Sequence, residues 1–97
     1  MLMQPTPLDS SIGDAQPRSY ARVTGRIVWV QVEPSDAAPR LTARVQDASG
    51  RMDAVFMGRR VIPGIEPGRN IVLEGRVCES TVVPLMYNPR YQLIGAP

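Results

Sequence analysis

The segment "RLTARVQDASGRMDAVFMGRR", residues 40 to 60, leaves the chain little choice of local structure. Apolar and polar residues alternate on both sides of a short polar turn, which is the period of a strand and not of a helix. Leu41, Ala43 and Val45 form the apolar set before the turn, and Met52, Ala54 and Phe56 the set after it. Residues paired across a ladder lie on the same side of a sheet, so both sets share a face only if 45 pairs with 52, 43 with 54 and 41 with 56. That register leaves Asp47 to Gly50 as the turn, with Asp suited to its start and Gly to the positive φ at its end. Arg40, Thr42, Arg44, Gln46, Arg51, Asp53, Val55 and Met57 then project from the opposite, outward face, where Arg44 sits across from Asp53. An exposed cross-strand ion pair is worth about 0.2 to 1 kcal/mol, which gives Arg44 a structural task before any ligand is considered.

The rest of the chain continues in the same vein. Ten prolines and eight glycines among 97 residues leave little room for long helices, and the length suits one domain. Residues 1 to 19 are rich in Pro, Ser, Asp and Gln and lack periodicity, which predicts a mobile N-terminal arm ahead of a domain spanning residues 20 to 97. "YARVTGRIVWVQVE" is long for a strand and apolar on both faces in its second half. Val23, Ile27 and Trp29 fall on one face, and Val28, Val30 and Val32 on the other. A strand that passes from half-buried to doubly covered is expected to bend across two sheets, with Gly25 as the site of the bend or bulge.

"GRRVIPGIEPG", residues 58 to 68, allows at most a short turn. "RNIVLEGRVCE" predicts a strand with Ile71, Leu73 and Val77 inward and Val72, Glu74 and Arg76 outward. Gly75 falls on the inward set, where a missing side chain admits another backbone. "TVVPLMYNPRYQLI" predicts a last strand interrupted at Asn88 and Pro89, because proline lacks the ladder donor. Five strands in about 75 residues, the first long and bent, predict a small closed all-β barrel.

The chemistry is narrowed by what is missing. All eleven basic residues are arginine, the chain has no histidine, and Cys78 is its one cysteine. No disulfide can close within the chain, and the usual zinc and nucleophile constellations have no members, so no metal and no cofactor are expected. The carboxylates are scattered and no glycine-rich phosphate loop precedes a helix, which argues against an enzyme. With no apolar leader and no run of ~18 apolar residues, the reading is a cytoplasmic protein away from membranes. From Arg18 onward, eleven arginines face seven carboxylates, a mild basic excess of +4.

Taken in order, "VTGRIVWVQVE", "VQDASGRMDAVFMGRR", "IEPGRNIVLEGRV" and "MYNPRYQL" resemble an OB-fold nucleic-acid-binding domain over residues 20 to 95. More narrowly, they resemble the wedge domain of bacterial branch-migrating DNA helicases and small stand-alone OB-fold proteins of actinobacteria. The resemblance implies a five-stranded Greek-key OB barrel with little or no helix between strands three and four. It also implies single-stranded DNA or RNA, or branched DNA, held against strands two and three. On this chain that surface carries Arg40, Arg44 and Arg51, with Arg59 and Arg60 at the exit of the third strand.

Trp29 and Tyr87 are the aromatic candidates. Trp29 shares its expected face with Val23 and Ile27, which favours packing in the core or at the barrel mouth over stacking on a base. Of Tyr87 and Tyr91, one is expected to pack and the other to keep its hydroxyl wet. No aromatic falls on the outward face of the hairpin itself, and Glu33, Asp36 and Glu79 place negative charge in the adjoining loops. Those features support the competing reading, an interaction module that has lost nucleic-acid binding and forms a homo-oligomer through Val28, Val30 and Val32 or an open strand edge. A helicase or nuclease as partner is compatible with both.

Overall fold

A computed structural model describes residues 6 to 33 and 38 to 95. Its strands are β1 (Leu8–Asp9), β2 (Tyr20–Glu33), β3 (Arg40–Gln46), β4 (Arg51–Met57), β5 (Asn70–Arg76), β6 (Leu85–Tyr87) and β7 (Arg90–Ile94). They form one sheet in the order β6-β4-β3-β2-β5-β7, with β1 added beside β2. The two ends of that path, β6 and β7, are separated along the chain only by Asn88 and Pro89. The sheet therefore curls round until one kinked strand serves both ends, β6 running parallel to β4 and β7 antiparallel to β5. The covalent kink, not a continuous ladder, joins them, so the expected barrel of five strands is a curled sheet of seven that hydrogen bonds do not close between β6 and β7.

Asn88 is built for that corner. Its φ of 47° turns the chain, its N–H donates to the Val55 carbonyl at 2.7 Å, and its Oδ1 accepts from the Met57 N–H at 2.9 Å. The short polar side chain tolerates the left-handed conformation and satisfies a backbone donor that the missing ladder would otherwise leave unpaired.

The hairpin has the register set by its two apolar triads: Leu41 with Phe56, Ala43 with Ala54 and Val45 with Met52. All six side chains are buried, and with Val23, Ile27, Ile71, Leu73, Val77 and Met86 they make the core. Residues 58 to 69 contain no helix; turns through this stretch lay Ile62 and Ile65 against the same core. Gly75 faces inward as expected, but what fills the space above it is the side chains of Met86 and Pro89, not another backbone. Among the described residues no helix is long and apolar enough to cross a membrane.

Two expectations are corrected. Residues 6 to 19 are not an arm apart from the barrel. Leu8–Asp9 pairs with β2, and a one-turn 3-10 helix, Ile12–Asp14, puts Ile12 into the core with 2% of its surface exposed. A single isoleucine without periodic neighbours carries no sequence signal, yet burying it is worth about 1.5 to 3 kcal/mol. The segment is stitched to the hairpin turn: the Ile12 N–H donates to Asp47 at 2.9 Å and the Gly13 N–H to the Ser49 hydroxyl at 2.7 Å. Residues 1 to 5 lie outside the described residues.

The second correction concerns the phase of β2. Residues 20 to 26 pair with β5 and residues 26 to 33 with β3, so the strand crosses from one half of the barrel to the other at Arg26. Gly25 stands at that crossing, where an added Cβ would lie 2.8 Å from the Gln46 carbonyl oxygen. The bulge, however, is at Val28: Ile27 pairs with Val45 and Trp29 with Arg44, which leaves Val28 as the extra residue. Beyond it the alternation is inverted. Val30 and Val32 join the inward phase, and Trp29 turns outward, away from the face of Val23 and Ile27.

Candidate nucleic-acid interface

The outward face of β2, β3, β4 and β6 is laid out in rows by the ladders. Arg26, Gln46 and Arg51 form the row at the turn end; Trp29, Arg44, Asp53 and Leu85 form the next; Gln31, Thr42, Val55 and Tyr87 follow, with Val55 covered; Glu33, Arg40 and Met57 form the last. The bulge at Val28 thus moves Trp29 onto the surface the hairpin arginines occupy, and the short strand β6 delivers Tyr87 to its far side. The two residues stand three strand spacings apart across the sheet, about 14 Å, and in neighbouring rows, so they flank the hairpin. Tyr87 is 53% exposed and Trp29 is half-buried. Tyr91 takes the packing role, meeting Phe56 edge to face with ring centroids 5.6 Å apart.

Arg44 is fully engaged. Its Nε and Nη2 donate to the two Asp53 carboxylate oxygens at 2.8 and 3.1 Å, and its guanidinium carbon lies 4.5 Å from the centroid of the Trp29 ring. The hydrogen bond with Asp53 raises the Arg44 pKa above its usual value, against the opposing effect of burial. A cation neutralised in this way and covered on one side adds little to the attraction of a phosphate. What it does is fix the indole, through a cation–π contact and a planar fork that a lysine would not reproduce.

The remaining arginines do not form one cluster. Arg40 opens β3 and Arg51 opens β4, so they stand at opposite ends of the hairpin, about 20 Å apart. Arg40 pairs in register with Glu33. Arg59 and Arg60 are both exposed, just past the end of β4 on the Arg40 side. A basic residue therefore lies at each end of the aromatic face, with a self-neutralised pair in its middle. Of the acids expected nearby, Glu33 is exposed at the end of β2, Glu79 is exposed in the connection before β6, and Asp36 lies outside the described residues.

Sequence reasoning set Thr42 on the outward face without giving it a role, did not single out Gln31, which shares the row of Thr42 and Tyr87, and placed Trp29 on the wrong face. One signal for the bulge was present. "IVWV" is four apolar residues in a row within an alternating strand, and a strand covered on one face tolerates such a run only if it slips phase. Among the described residues no three His, Cys, Asp or Glu side chains come together as metal ligands.

No known family model matches this chain, and no well-characterised protein matches it by sequence. Solved structures do match. The second OB-fold domain of replication protein A from Methanococcus maripaludis superposes with a TM-score of 0.71 at 9% identity, over 93% of this chain and 98% of that one. The OB domain of a Methanosarcina mazei protein does so with a TM-score of 0.71 at 14% identity, over 96% of this chain and 89% of that one. At such identities the likeness is one of fold: this chain has the OB fold.

Proposed function

We propose that this chain is a non-enzymatic OB domain that binds single-stranded DNA or RNA across the outward face of β2, β3, β4 and β6. The observation that carries the reading is the bulge at Val28, which sets Trp29 beside Arg44 and leaves Tyr87 on the other flank of the same face. Bases stack on the two rings, Gln31 and Thr42 offer hydrogen bonds between them, and Arg40, Arg51, Arg59 and Arg60 meet phosphates at the two ends. Sequence preference is weak, because stacking and phosphate contacts accept any base. The resemblance of residues 20 to 95 to helicase wedge domains adds branched DNA to the substrates to be titrated.

Fluorescence anisotropy with short DNA and RNA single strands at several salt concentrations tests this. Neutralising three to five phosphates gives a slope of log affinity against log salt of about −2 to −3.5. Replacing Trp29 and Tyr87 together by alanine weakens binding while leaving that slope in place. Unchanged affinity in the double variant would overturn the assignment of this face.

A second reading has its own observation. Val28 and Val32 are 40% and 39% exposed, on a part of β2 that pairs only with β3 beyond Ile27 among the described residues. Self-association through this edge predicts an oligomer by light scattering that a short oligonucleotide leaves unchanged.

A further inference from the structure

A second set of arginines lies on the side of the barrel formed by β2, β5 and β7, which the single-strand reading leaves unused except where Arg26 borders it. On β2, β5 and β7 the outward rows are Tyr20 and Arg76; Arg22, Glu74 and Arg90; Thr24, Val72 and Gln92; Arg26, Asn70 and Ile94. Four arginines share this face with Glu74 and, from β1 beside β2, Asp9. Arg22 is committed to structure, since it holds Glu74 at 2.6 Å and Asp9 of β1 at 3.3 Å. Arg26, Arg76 and Arg90 are exposed, and no ion pair engages them among the described residues. Arg26 stands where β2 crosses, beside Asn70 of β5 on one side and in the row of Gln46 and Arg51 on the other, so it borders the hairpin face. The other cations of that face, outside the Arg44–Asp53 pair, are Arg40, Arg51, Arg59 and Arg60.

The spacing excludes a small anion as the natural occupant. Arg26 lies six ladder positions from Arg76, about 20 Å, and four positions and two strands from Arg90, about 16 Å. Guanidiniums spread in this way do not converge on one phosphate; they suit a row of them. The face also lacks a free aromatic platform, its one ring being the half-buried Tyr20 at the edge. A surface that offers charge without stacking suits a nucleic acid whose bases are already stacked on each other.

We infer that the β2–β5–β7 face, through Arg26, Arg76 and Arg90, binds the phosphodiester backbone of duplex DNA without reading its sequence. This goes beyond the single-strand reading and does not depend on it. The protein would then hold a single strand on one side of the barrel and a duplex segment on the other.

The test uses the full chain and a blunt DNA duplex of about 20 base pairs, roughly two helical turns. The variant carries Arg26→Gln, Arg76→Gln and Arg90→Gln, and its thermal melting is compared with wild type to confirm folding. Wild type binds the duplex with a strong salt dependence. The triple variant loses tenfold or more in duplex affinity at low salt, and its slope is shallower by about 2.7, which is about 0.9 for each phosphate no longer neutralised. Its affinity for a short single strand stays within about threefold of wild type, because the stacking face is intact. The Trp29→Ala, Tyr87→Ala double variant gives the converse pattern and separates failure of one reading from failure of the other. Equal duplex binding by wild type and the arginine variant would overturn the inference. So would a wild type that ignores the duplex at low salt, which would leave the face to an acidic protein surface.

Discussion

Trp29 stands opposite Arg44 across the β2–β3 ladder, with the guanidinium carbon 4.5 Å from the ring centroid, and Asp53 grips the other side of the same guanidinium through two hydrogen bonds. Three side chains on three adjacent strands thus form one rigid unit. The Arg44 and Asp53 side chains are only 17% and 14% exposed, so solvent screens the pair less than it would a surface bridge. Asp53→Asn keeps the shape but removes the charge, which loosens Arg44 from the indole. The expected outcome is a loss of about 1 to 3 kcal/mol in urea unfolding and a shifted tryptophan emission in the native state. Because Trp29 is the one tryptophan, the emission reports this unit alone. An unmoved spectrum would mean that Asp53 does not hold the guanidinium on the ring.

The same geometry separates the arginines by role. Arg40→Gln and Arg51→Gln are each expected to flatten the salt dependence of single-strand binding by about 0.7, the share of one phosphate contact. Arg44→Gln is expected to lower affinity through a displaced Trp29 while leaving the slope nearly as it was, since its charge is already balanced. Titrations of the three variants over a salt series decide this, and equal slope changes for all three would assign Arg44 to a phosphate instead.

How far such a site is legible in sequence depends on what kind of information places each residue. The hairpin register, the Arg44–Asp53 pair and the break at Asn88–Pro89 follow from two-residue alternation and from proline's missing donor, both local properties. The position of Trp29 does not. One extra residue at Val28 inverts every side chain after it, and the only residues that object to the unbulged phase are Gln31 and Glu33, near the exposed end of the strand, where a polar side chain on either face costs little. Arg26, Arg76 and Arg90 come from three strands that meet only in the finished sheet. Ile12 is invisible for another reason: it contributes one buried side chain held by a carboxylate 35 residues away, with no pattern around it.

That carboxylate makes stability depend on pH. Burial alone would raise the Asp47 pKa, but the N–H groups of Ile12, Ser49 and Gly50 and the Ser49 hydroxyl outweigh it and hold the carboxyl below its usual value near 3.8. A folded-state pKa below the unfolded one means that the stabilisation is fully present above the unfolded value of about 3.9 and is lost as pH falls through the folded one. Wild type is therefore expected to lose stability on acidification below about pH 4 more steeply than Asp47→Asn, which lacks the titrating group. Urea unfolding of both proteins between pH 6 and about pH 2 measures the difference; parallel curves would remove Asp47 from the acid response.

Docking of the N-terminal segment is tested separately by Ile12→Ala. Removing a fully buried isoleucine from a core position costs about 2 to 5 kcal/mol, a large share of the stability of a domain this small. The same substitution in a free arm would cost nothing measurable. Chemical unfolding distinguishes the two, and a change below about 0.5 kcal/mol would mean that residues 6 to 19 do not belong to the cooperative unit.

Two inward glycines of the barrel are expected to respond differently to alanine. At Gly25 the new Cβ would lie 2.6 Å from Val45 Cγ1 and 2.8 Å from the Gln46 carbonyl oxygen, where β2 crosses between its two partners. A carbonyl in a ladder has no free rotation with which to retreat, so the backbones must part and the pairing of Arg26 with Gln46 is strained. At Gly75 the nearest atom is Met86 Sδ at 3.2 Å, the end of a flexible side chain that can shift by a few tenths of an ångström. Gly25→Ala is therefore expected to destabilise by about 1 to 3 kcal/mol, the usual range for overpacking, and Gly75→Ala by clearly less. Amide exchange provides the sharper measurement, because strain at the crossing should accelerate exchange along residues 25 to 27 and 45 to 46 while the β5–β7 ladder stays protected. Equal losses in the two variants, or exchange raised uniformly through the sheet, would mean that the crossing at Gly25 is no tighter than the rest of the barrel.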